Sequence, residues 1–383
     1  MVRRSMLMEN AEDILEQFCR AASDPVEYGR SIKRKDREII GFLCTYAPEE
    51  IIAAAGFHPF RLFGAHGDIS GADQHLQSYS CSLVRGVLED ALAGRCDFLD
   101  GIVFPHTCDS MQRLSDIWRL NIPTAFFADV VLPVKLVSGS AEKYLYDVLK
   151  RFVKELESWS GRDITDEMIT ASCEKYNAIR RRMRDLYARH AENPACLSAA
   201  DLSAVMTASM VMDRADVLAG LTDLVDKLDK TVPSGMSCRR RVFLVGSVCD
   251  QPEIYHLIAD AGADVVGDDL CSGSRYCDGD IVTNGDPLTA IASRLVSRVN
   301  CPAKHYSLTA RGDRIVEAVK RSRADGVVFI HLKFCDPHAF DYPYIKGMLD
   351  DIHIPSMVLE IEAQLPSEGA LRTRFETFVH MLR

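Results

Sequence analysis

Cysteine is the residue type whose abundance first suggests chemistry in this sequence, since the chain contains 13 of them. The N-terminus lacks the apolar core of a secretory signal, so we expect a reducing compartment, where disulfides do not persist. Thiols in such a compartment act as metal ligands or redox groups, or are small buried side chains. The thirteen are Cys19, Cys44, Cys81, Cys96, Cys108, Cys173, Cys196, Cys238, Cys249, Cys271, Cys277, Cys301 and Cys335.

Four of these cysteines occupy positions at which parallel α/β sheets collect ligands. Cys108 and Cys335 each follow an apolar segment that predicts a strand, and each precedes an aspartate that predicts a helix cap. Cys44 precedes the helix predicted from Pro48, and Cys81 lies in the predicted first turn of another helix. Ligands bind beyond the carboxyl ends of strands, and a helix N-terminus favours a thiolate. We therefore predict that these four cysteines bind an iron–sulfur cluster, whose sulfurs accept hydrogen bonds.

An internal repeat relates the two regions that contain these cysteines. Residues 100–106 (DGIVFPH) match residues 325–331 (DGVVFIH), and a Cys-Asp pair follows each match, at Cys108 and at Cys335. Further matches occur at similar spacings upstream and downstream. Such a series predicts two similar structural units.

The remaining cysteines differ in how well their positions suit ligands. Cys301 is the repeat counterpart of Cys81, and Cys271 ends a predicted strand, so both are further candidates, whereas Cys249 and Cys277 are weaker. Zinc is disfavoured because its structural sites use closely spaced ligand pairs, which the candidates do not form. The cysteines predicted to be structural lie on helices or linkers and are Cys19, Cys96, Cys173, Cys196 and Cys238.

The elements that position the cysteines are those of an α/β protein. Short apolar runs alternate with helical patterns on both sides of a stretch whose apolar residues recur at i, i+3, i+4 and i+7. We predict two similar Rossmann-like parallel-sheet domains, joined by a helical segment. The predicted parts are residues 1–37 (N-terminal helical segment), 38–140 (first α/β domain), 141–235 (helical segment) and 236–383 (second α/β domain). Strands are predicted at 99–104, 124–127, 241–246, 264–270, 326–330 and 357–361, and helices at 48–55, 80–93, 145–159, 179–187, from 198, and at 252–261.

Composition and charge exclude several functional classes. The chain has 383 residues, of which 47% are hydrophobic and 26% charged, so it can bury the cores of more than one domain. Its net charge of −10 argues against nucleic acid as a partner. No apolar stretch reaches the length of a membrane span, so we expect a cytoplasmic protein without a membrane partner.

Four segments resemble a known family, the benzoyl-CoA reductase/2-hydroxyacyl-CoA dehydratase family. They are Cys44-Thr-Tyr-Ala-Pro-Glu-Glu-Ile51, Ser78-Tyr-Ser-Cys-Ser82, Phe104-Pro-His-Thr-Cys-Asp109 and Lys333-Phe-Cys-Asp-Pro-His-Ala-Phe-Asp-Tyr-Pro343. The resemblance extends over nearly the whole chain, from about residue 38, and within the family it is to the smaller, C-type subunit of ATP-dependent reductases.

The resemblance implies a subunit of an oxygen-sensitive enzyme. Members of this family pair with a larger homologous subunit or with a second copy, and a separate ATP-hydrolysing iron–sulfur activator supplies low-potential electrons. Reductases pass the electrons to an aromatic acyl-CoA, whereas dehydratases use one electron to expel a hydroxyl group from a 2-hydroxyacyl-CoA. A third possibility is an electron-transfer subunit whose partner binds the thioester. The sequence contains no Walker A loop, which agrees with a separate ATPase.

Two cluster types agree with the resemblance. A single [4Fe–4S] cluster would use the four cysteines predicted first. Some relatives carry a double-cubane [8Fe–9S] cluster, which the repeat would divide by domain into two sets of three. The first set is Cys44, Cys81 and Cys108, and the second set is Cys271, Cys301 and Cys335.

The sequence assigns no catalytic residue, although histidines flank the cysteines. His106 and His331 are candidates for a proton donor, and His305 and His338 lie nearby, but a role in holding the turn is favoured for these histidines. Acidic residues near the cysteines are predicted as helix caps and first-turn anions; they are Asp109, Asp336, Glu49 and Glu50. Three basic residues that could contact CoA phosphates are not assigned to them, since no phosphate loop accompanies them; they are Arg61, Arg275 and Lys304.

Overall fold

The computed structural model describes residues 2–229, 239–298, 301–304 and 306–382, with side chains from residue 13 onward. The described chain contains two four-stranded parallel sheets, and both have the same strand order. The first sheet runs β2-β1-β3-β4 and the second β6-β5-β7-β8. The strands are β1 (Ile39–Phe42), β2 (His58–Arg61), β3 (Gly101–His106), β4 (Phe126–Val131), β5 (Arg240–Gly246), β6 (Ala263–Asp269), β7 (Gly326–Leu332) and β8 (Ser356–Ile361).

Helices cover both faces of each sheet, which explains why the central strands are apolar almost without interruption. All four residues of β1 are buried, as are the first five of β3. The helices are α1 (Val2–Ser23), α2 (Pro25–Lys33), α3 (Glu49–Ala54), α4 (Ser82–Leu92), α5 (Asp109–Asn121), α6 (Ala141–Ser160), α7 (Asp166–Glu192), α8 (Ala199–Ser209), α9 (Arg214–Leu228), α10 (Pro252–Asp260), α11 (Pro287–Ser297), α12 (Ala310–Arg321), α13 (Asp336–Asp351) and α14 (Glu368–Met381).

The predicted fold class is confirmed, and the repeat has a physical basis. The aspartate that opens each matched segment binds the first strand of its sheet in the same way. Asp100 accepts a hydrogen bond from the backbone N–H of Ile39 (2.8 Å), and Asp325 accepts one from Arg241 (2.8 Å). Each aspartate therefore fixes the start of the third strand against the first, so the matched segments occupy equivalent places.

Buried ion pairs attach the helical segment to both sheets. The Glu49 carboxylate accepts hydrogen bonds from Arg214 (2.8 Å) on α9 and from the Tyr276 hydroxyl (3.0 Å), which follows β6. Glu50 pairs with Arg180 on α7. Both glutamates lie in the first turn of α3, as predicted, but they are buried partners of arginines rather than simple first-turn anions.

The boundaries of the four predicted parts stay a prediction. The helical elements α6 to α9 lie between the two sheets in the sequence, and α1 packs against α8 and α9. The linker predicted at residues 233–235 lies outside the described residues. Within the described ranges, no helix combines the length and the apolar content needed to cross a bilayer.

The outer edge of the first sheet is covered by the segment after α8. The backbone N–H of Arg61 donates to the Met210 carbonyl (3.1 Å), and the His58 ring donates to the Val211 carbonyl (2.7 Å). Burial, with a contribution from the nearby charge of Arg214, lowers the pKa of His58 to about 4. His58 is therefore neutral in the folded protein at neutral pH.

This histidine gives a testable pH dependence. The pKa of His58 is about 4 in the folded state and about 6.5 in an unfolded chain. The unfolded chain therefore binds the proton more tightly between these values, and stability falls as the pH decreases from about 6.5 to about 4, by about 3 kcal/mol. We expect His58→Gln, which keeps a donor for the Val211 carbonyl, to remove this part of the pH dependence of the unfolding free energy in denaturant titrations.

The control for this prediction is the exposed His256. His256→Gln should keep the pH dependence of the unmodified protein. Parallel pH profiles for His58→Gln and the unmodified protein would contradict the assignment.

Candidate metal centre

Three of the predicted cysteines occupy the N-cap positions of helices. Cys81 caps α4, Cys108 caps α5 and Cys335 caps α13. The prediction that Asp109 and Asp336 are the caps was therefore wrong, since each aspartate is the first helical residue and the cysteine takes the cap position. Cys81 likewise stands one position before the helix rather than in its first turn.

None of the three sulfurs accepts a cap hydrogen bond, but backbone N–H groups of the first turn lie close enough to affect the pKa of each thiol. The donors include Val84 at Cys81, Met111 at Cys108 and His338 at Cys335, and each lowers the pKa of its thiol. Burial has the larger effect and raises the pKa of all three thiols, that of Cys108 to about 12. The expectation that the helix N-terminus alone favours the thiolate is therefore not met. A bound metal cation would have to displace the proton.

The six candidate cysteines lie near one another. Several of the interactions between them join a cysteine that follows a strand of one sheet to a cysteine from the region of the other sheet. The Cys44 and Cys271 thiols lie close together, and their interaction raises the pKa of Cys44 and lowers that of Cys271. The neighbouring Cys301 also contributes to the raised pKa of Cys44. We call Cys44, Cys271 and Cys301 the first thiol group.

The second thiol group is formed by the three N-cap cysteines. The neighbouring Cys81 raises the pKa of both Cys108 and Cys335, and Cys108 also raises the pKa of Cys335. Cys301 interacts with Cys108 and Cys335 as well as with Cys44, so it connects the two groups. Each group therefore combines cysteines that follow strands of different sheets.

The repeat is less regular at Cys301 than the sequence indicates. Cys81 caps its helix directly, whereas Cys301 precedes Thr309, the N-cap residue of α12, by several residues. A backbone N–H from Ala303 is nevertheless directed at the Cys301 sulfur. Cys81 and Cys301 are thus counterparts in sequence order but not in local geometry.

Buried cations surround the thiols. The Arg61 side chain is 1% exposed, and its guanidinium donates to the Cys271 sulfur (3.2 Å) and to the Cys271 carbonyl (2.9 Å). Arg275 pairs with Asp269 (3.1 Å) and contributes to the lowered pKa of Cys271; burial raises the pKa of Cys301, and the charge of Arg275 opposes that increase. The buried cations at this site are Arg61, Arg275, Arg298, Arg311 and Lys304.

Three of these arginines have N–H groups for which the described residues supply no acceptor. The groups are the Nε of Arg61, the Nε of Arg298 and the Nη1 of Arg311. Buried donors without partners are rare in folded proteins. An anionic group bound among the thiols would supply both the acceptors and the compensating charge, so the residues present fit an iron–sulfur cluster.

A site for a single metal ion is a different arrangement, in which three or four ligands converge on one point. Among the described side chains, no group of three or more His, Cys, Asp or Glu residues is close enough to hold one ion. In a cluster, by contrast, each cysteine binds a different iron, so its ligands are spread more widely. The separated thiols agree better with a cluster than with a zinc site.

The two histidines at matched repeat positions have different surroundings. His106 donates from Nε2 to the Asp129 carboxylate (2.8 Å), which Ser115 and Arg119 also bind. His331 instead has aromatic neighbours, among them Tyr342, and burial lowers its pKa. Burial also lowers the pKa of His338, and His305 lies outside the described residues.

The twelve described cysteines are free thiols. Cys249 and Cys277 are buried, and burial raises the pKa of each to about 12. Cys238 lies outside the described residues. The sequence interpretation missed the roles of Arg298 and Arg311, since isolated arginines in a loop and a helix carry no local sign of burial.

A cleft of about 400 Å³ is lined by residues from both domains, among them residues of the loop after β2 and of the segment after β8. Arg85 of α4 lines it on one side, and Lys333, two residues before Cys335, lines it on the other. The cleft therefore approaches the helix that Cys81 caps and the loop that contains Cys335.

The structure defines an α/β protein with two parallel-sheet domains whose candidate cysteines lie near one another, two of them buried and four partly exposed. The family described as 2-hydroxyglutaryl-CoA dehydratase, D-component, matches residues 44–382, and the chain belongs to this family. The family resemblance predicted from the sequence is thereby confirmed.

Relatives in this family are subunits of acyl-CoA enzymes. The chain is 26% identical to the (R)-phenyllactyl-CoA dehydratase beta subunit of Clostridium sporogenes, over 98% of this chain and 100% of the relative. It is 28% identical to the C subunit of benzoyl-CoA reductase from Thauera aromatica, over 95% and 97% respectively. It is 26% identical to the beta subunit of (R)-2-hydroxyglutaryl-CoA dehydratase of Acidaminococcus fermentans, over 96% and 99%.

Proposed function

We propose that this chain is the iron–sulfur subunit of an ATP-dependent complex of the benzoyl-CoA reductase type, which delivers low-potential electrons to an aromatic acyl-CoA. The observation that carries the proposal is the meeting of six cysteines from both sheets among buried arginines with N–H groups for which the described residues supply no acceptor. Such a site suits a large anionic redox group. Without one, burying these charged side chains would cost free energy that an apolar core would not require.

In this proposal the six cysteines are the ligands, in the two thiol groups defined above. A cluster bound there supplies one-electron chemistry. The protein's own part is to exclude water, to neutralise the added negative charge and to donate hydrogen bonds to sulfur. The N-cap backbone groups and the buried arginines provide these functions.

The grouping differs from the division by domain that the repeat predicts, and it is part of the proposal. It is supported by the interaction between the Cys44 and Cys271 thiols and by the effect of Cys81 on the pKa of Cys335. Each cubane of a double-cubane cluster would then have ligands from both domains and would hold the domains together.

A second candidate is a subunit of a 2-hydroxyacyl-CoA dehydratase. It is favoured by the relatives from Clostridium sporogenes and Acidaminococcus fermentans, which are named as beta subunits of such dehydratases. Both candidates need the same cluster, so the site does not discriminate between them. Only the substrate of the assembled complex does.

The relatives are named as beta or C subunits, which supports a partner subunit for this chain. We propose that this partner is a larger homologue or a second copy, that a separate activator hydrolyses ATP, and that the complex is cytoplasmic. The cleft lined by Arg85 and Lys333 is the proposed approach for the acyl-CoA thioester.

The test is a turnover experiment under strict exclusion of oxygen. The chain is co-expressed with its partner subunit and combined with activator, ATP and a strong reductant, then offered benzoyl-CoA or a 2-hydroxyacyl-CoA. Consumption of benzoyl-CoA with formation of a reduced ring supports the first candidate. Turnover of the 2-hydroxyacyl-CoA alone supports the second, and absence of iron from the reconstituted chain would refute both.

A further inference from the structure

Each domain places a buried cation beside the cysteines of the other domain. Arg61, the last residue of β2 in the first sheet, extends to Cys271, which follows β6 in the second sheet. Its two terminal nitrogens contact the sulfur and the carbonyl of the same cysteine, and the described residues supply no acceptor for its Nε. Arg61 therefore holds Cys271 by two hydrogen bonds and keeps one donor unused.

Lys304 makes the reciprocal contact. It lies just after Cys301 in the second domain, is 6% exposed, and donates to the carbonyl of His106 (3.4 Å) in the first domain. Burial lowers the pKa of Lys304, and the neighbouring Cys301, Cys44 and Cys108 oppose this decrease, so its ammonium group lies near cysteines of both thiol groups. Among the described residues, the His106 carbonyl is the hydrogen-bond acceptor for the Lys304 ammonium group.

We propose that Arg61 and Lys304 are positioning residues that set the reduction potential of the cluster. This inference rests on the proposed function and concerns residues that no resemblance assigns. Reduction adds a negative charge to the cluster, and a fixed positive charge nearby stabilises the reduced form. Both cations are buried, so water screens them weakly and their effect on the potential is large.

A purely structural role makes a different prediction. If Arg61 only held the domains together, its loss would lower stability without changing the potential. Arg61→Lys separates the two roles, because lysine keeps the charge but cannot contact both the sulfur and the carbonyl in the fork geometry of a guanidinium. Lys304→Gln also separates them, because glutamine can still donate to the His106 carbonyl but is uncharged.

The experiment is an anaerobic redox titration of the reconstituted full-length protein, followed by electron paramagnetic resonance. We expect Arg61→Met and Lys304→Gln each to shift the midpoint potential to more negative values, and Arg61→Lys to stay near the unmodified protein. A matched control is the double variant Arg180→Met/Glu50→Gln, which removes a buried ion pair away from the described thiol contacts of Arg61 and Lys304. This control should leave the potential unchanged.

The outcomes are distinct. Unchanged potentials in both charge-removing variants would overturn the inference while leaving the proposed function intact. If Arg61→Met fails to assemble a cluster, Lys304→Gln and Arg61→Lys decide the question by the same comparison of charge loss with charge retention. If the unmodified protein itself binds no iron, the proposed function fails instead.

Discussion

Alanine at position 271 is expected to remove about half of the iron that the reconstituted chain binds. If the six cysteines hold a double-cubane cluster, the unmodified chain binds about eight irons and Cys271→Ala retains about four. A single cubane bound by the four cysteines predicted first would bind about four irons and would be unaffected by this substitution. Iron and acid-labile sulfide per chain, measured after anaerobic reconstitution, distinguish the two cases.

Pairs of substitutions test how the ligands are divided. Under the proposed grouping, Cys44 and Cys271 serve the same cubane, so Cys44→Ala/Cys271→Ala should lose no more iron than either single variant. Cys44 and Cys81 serve different cubanes, so Cys44→Ala/Cys81→Ala should lose nearly all of it. Division by domain makes the opposite prediction for both pairs.

Cys196 provides the control for these variants. It is a free, partly exposed cysteine outside both thiol groups, and Cys196→Ala should keep the full iron content. Iron loss in this variant would mean that cysteine substitution disturbs the protein generally. Full retention of iron by Cys271→Ala would contradict the six-ligand site.

The second large effect is expected on stability, at the ion pair that joins α3 to α9. Arg214 is buried and donates to the Glu49 carboxylate (2.8 Å), the Tyr176 hydroxyl (3.1 Å) and the Met212 carbonyl (2.6 Å). Arg214→Met would leave a buried carboxylate without its cation, which costs about 3–5 kcal/mol. The measurement is the midpoint of denaturant unfolding of the iron-free chain, because a bound cluster would add its own stabilisation.

Two further variants show whether the buried charge is the cause. Arg214→Met/Glu49→Gln removes the uncompensated charge and should recover part of the lost stability. Arg372→Met breaks an exposed pair with Glu368 and should change the unfolding free energy by less than about 1 kcal/mol. Equal losses for Arg214→Met and Arg372→Met would contradict the assignment.

The sequence alone predicted the α/β architecture because buried parallel strands read as short apolar runs. The strand predicted at residues 326–330 forms the first five residues of β7, and that predicted at 357–361 lies within β8. Cys108 and Cys335 could be placed near helix starts because strand and helix patterns are local. The repeat could be recognised because Asp100 and Asp325 perform the same task in both sheets.

Only the tertiary structure decided which cysteines are neighbours. Sequence order places Cys44 with Cys81 and Cys108, whereas the cysteines that raise its pKa are Cys271 and Cys301, from the part of the chain that contains the second sheet. Such pairing depends on how the two sheets face each other, which no local pattern encodes.

The tertiary structure also decided which charges are buried. Arg61 ends β2, the edge strand of the first sheet, which the sequence analysis did not predict. The segment after α8 covers that edge, and the second domain covers the guanidinium, so Arg61 becomes a buried partner of Cys271. The sequence thus determined that this protein has cysteines at sheet and helix ends, while long-range packing determined which thiols and cations form the site.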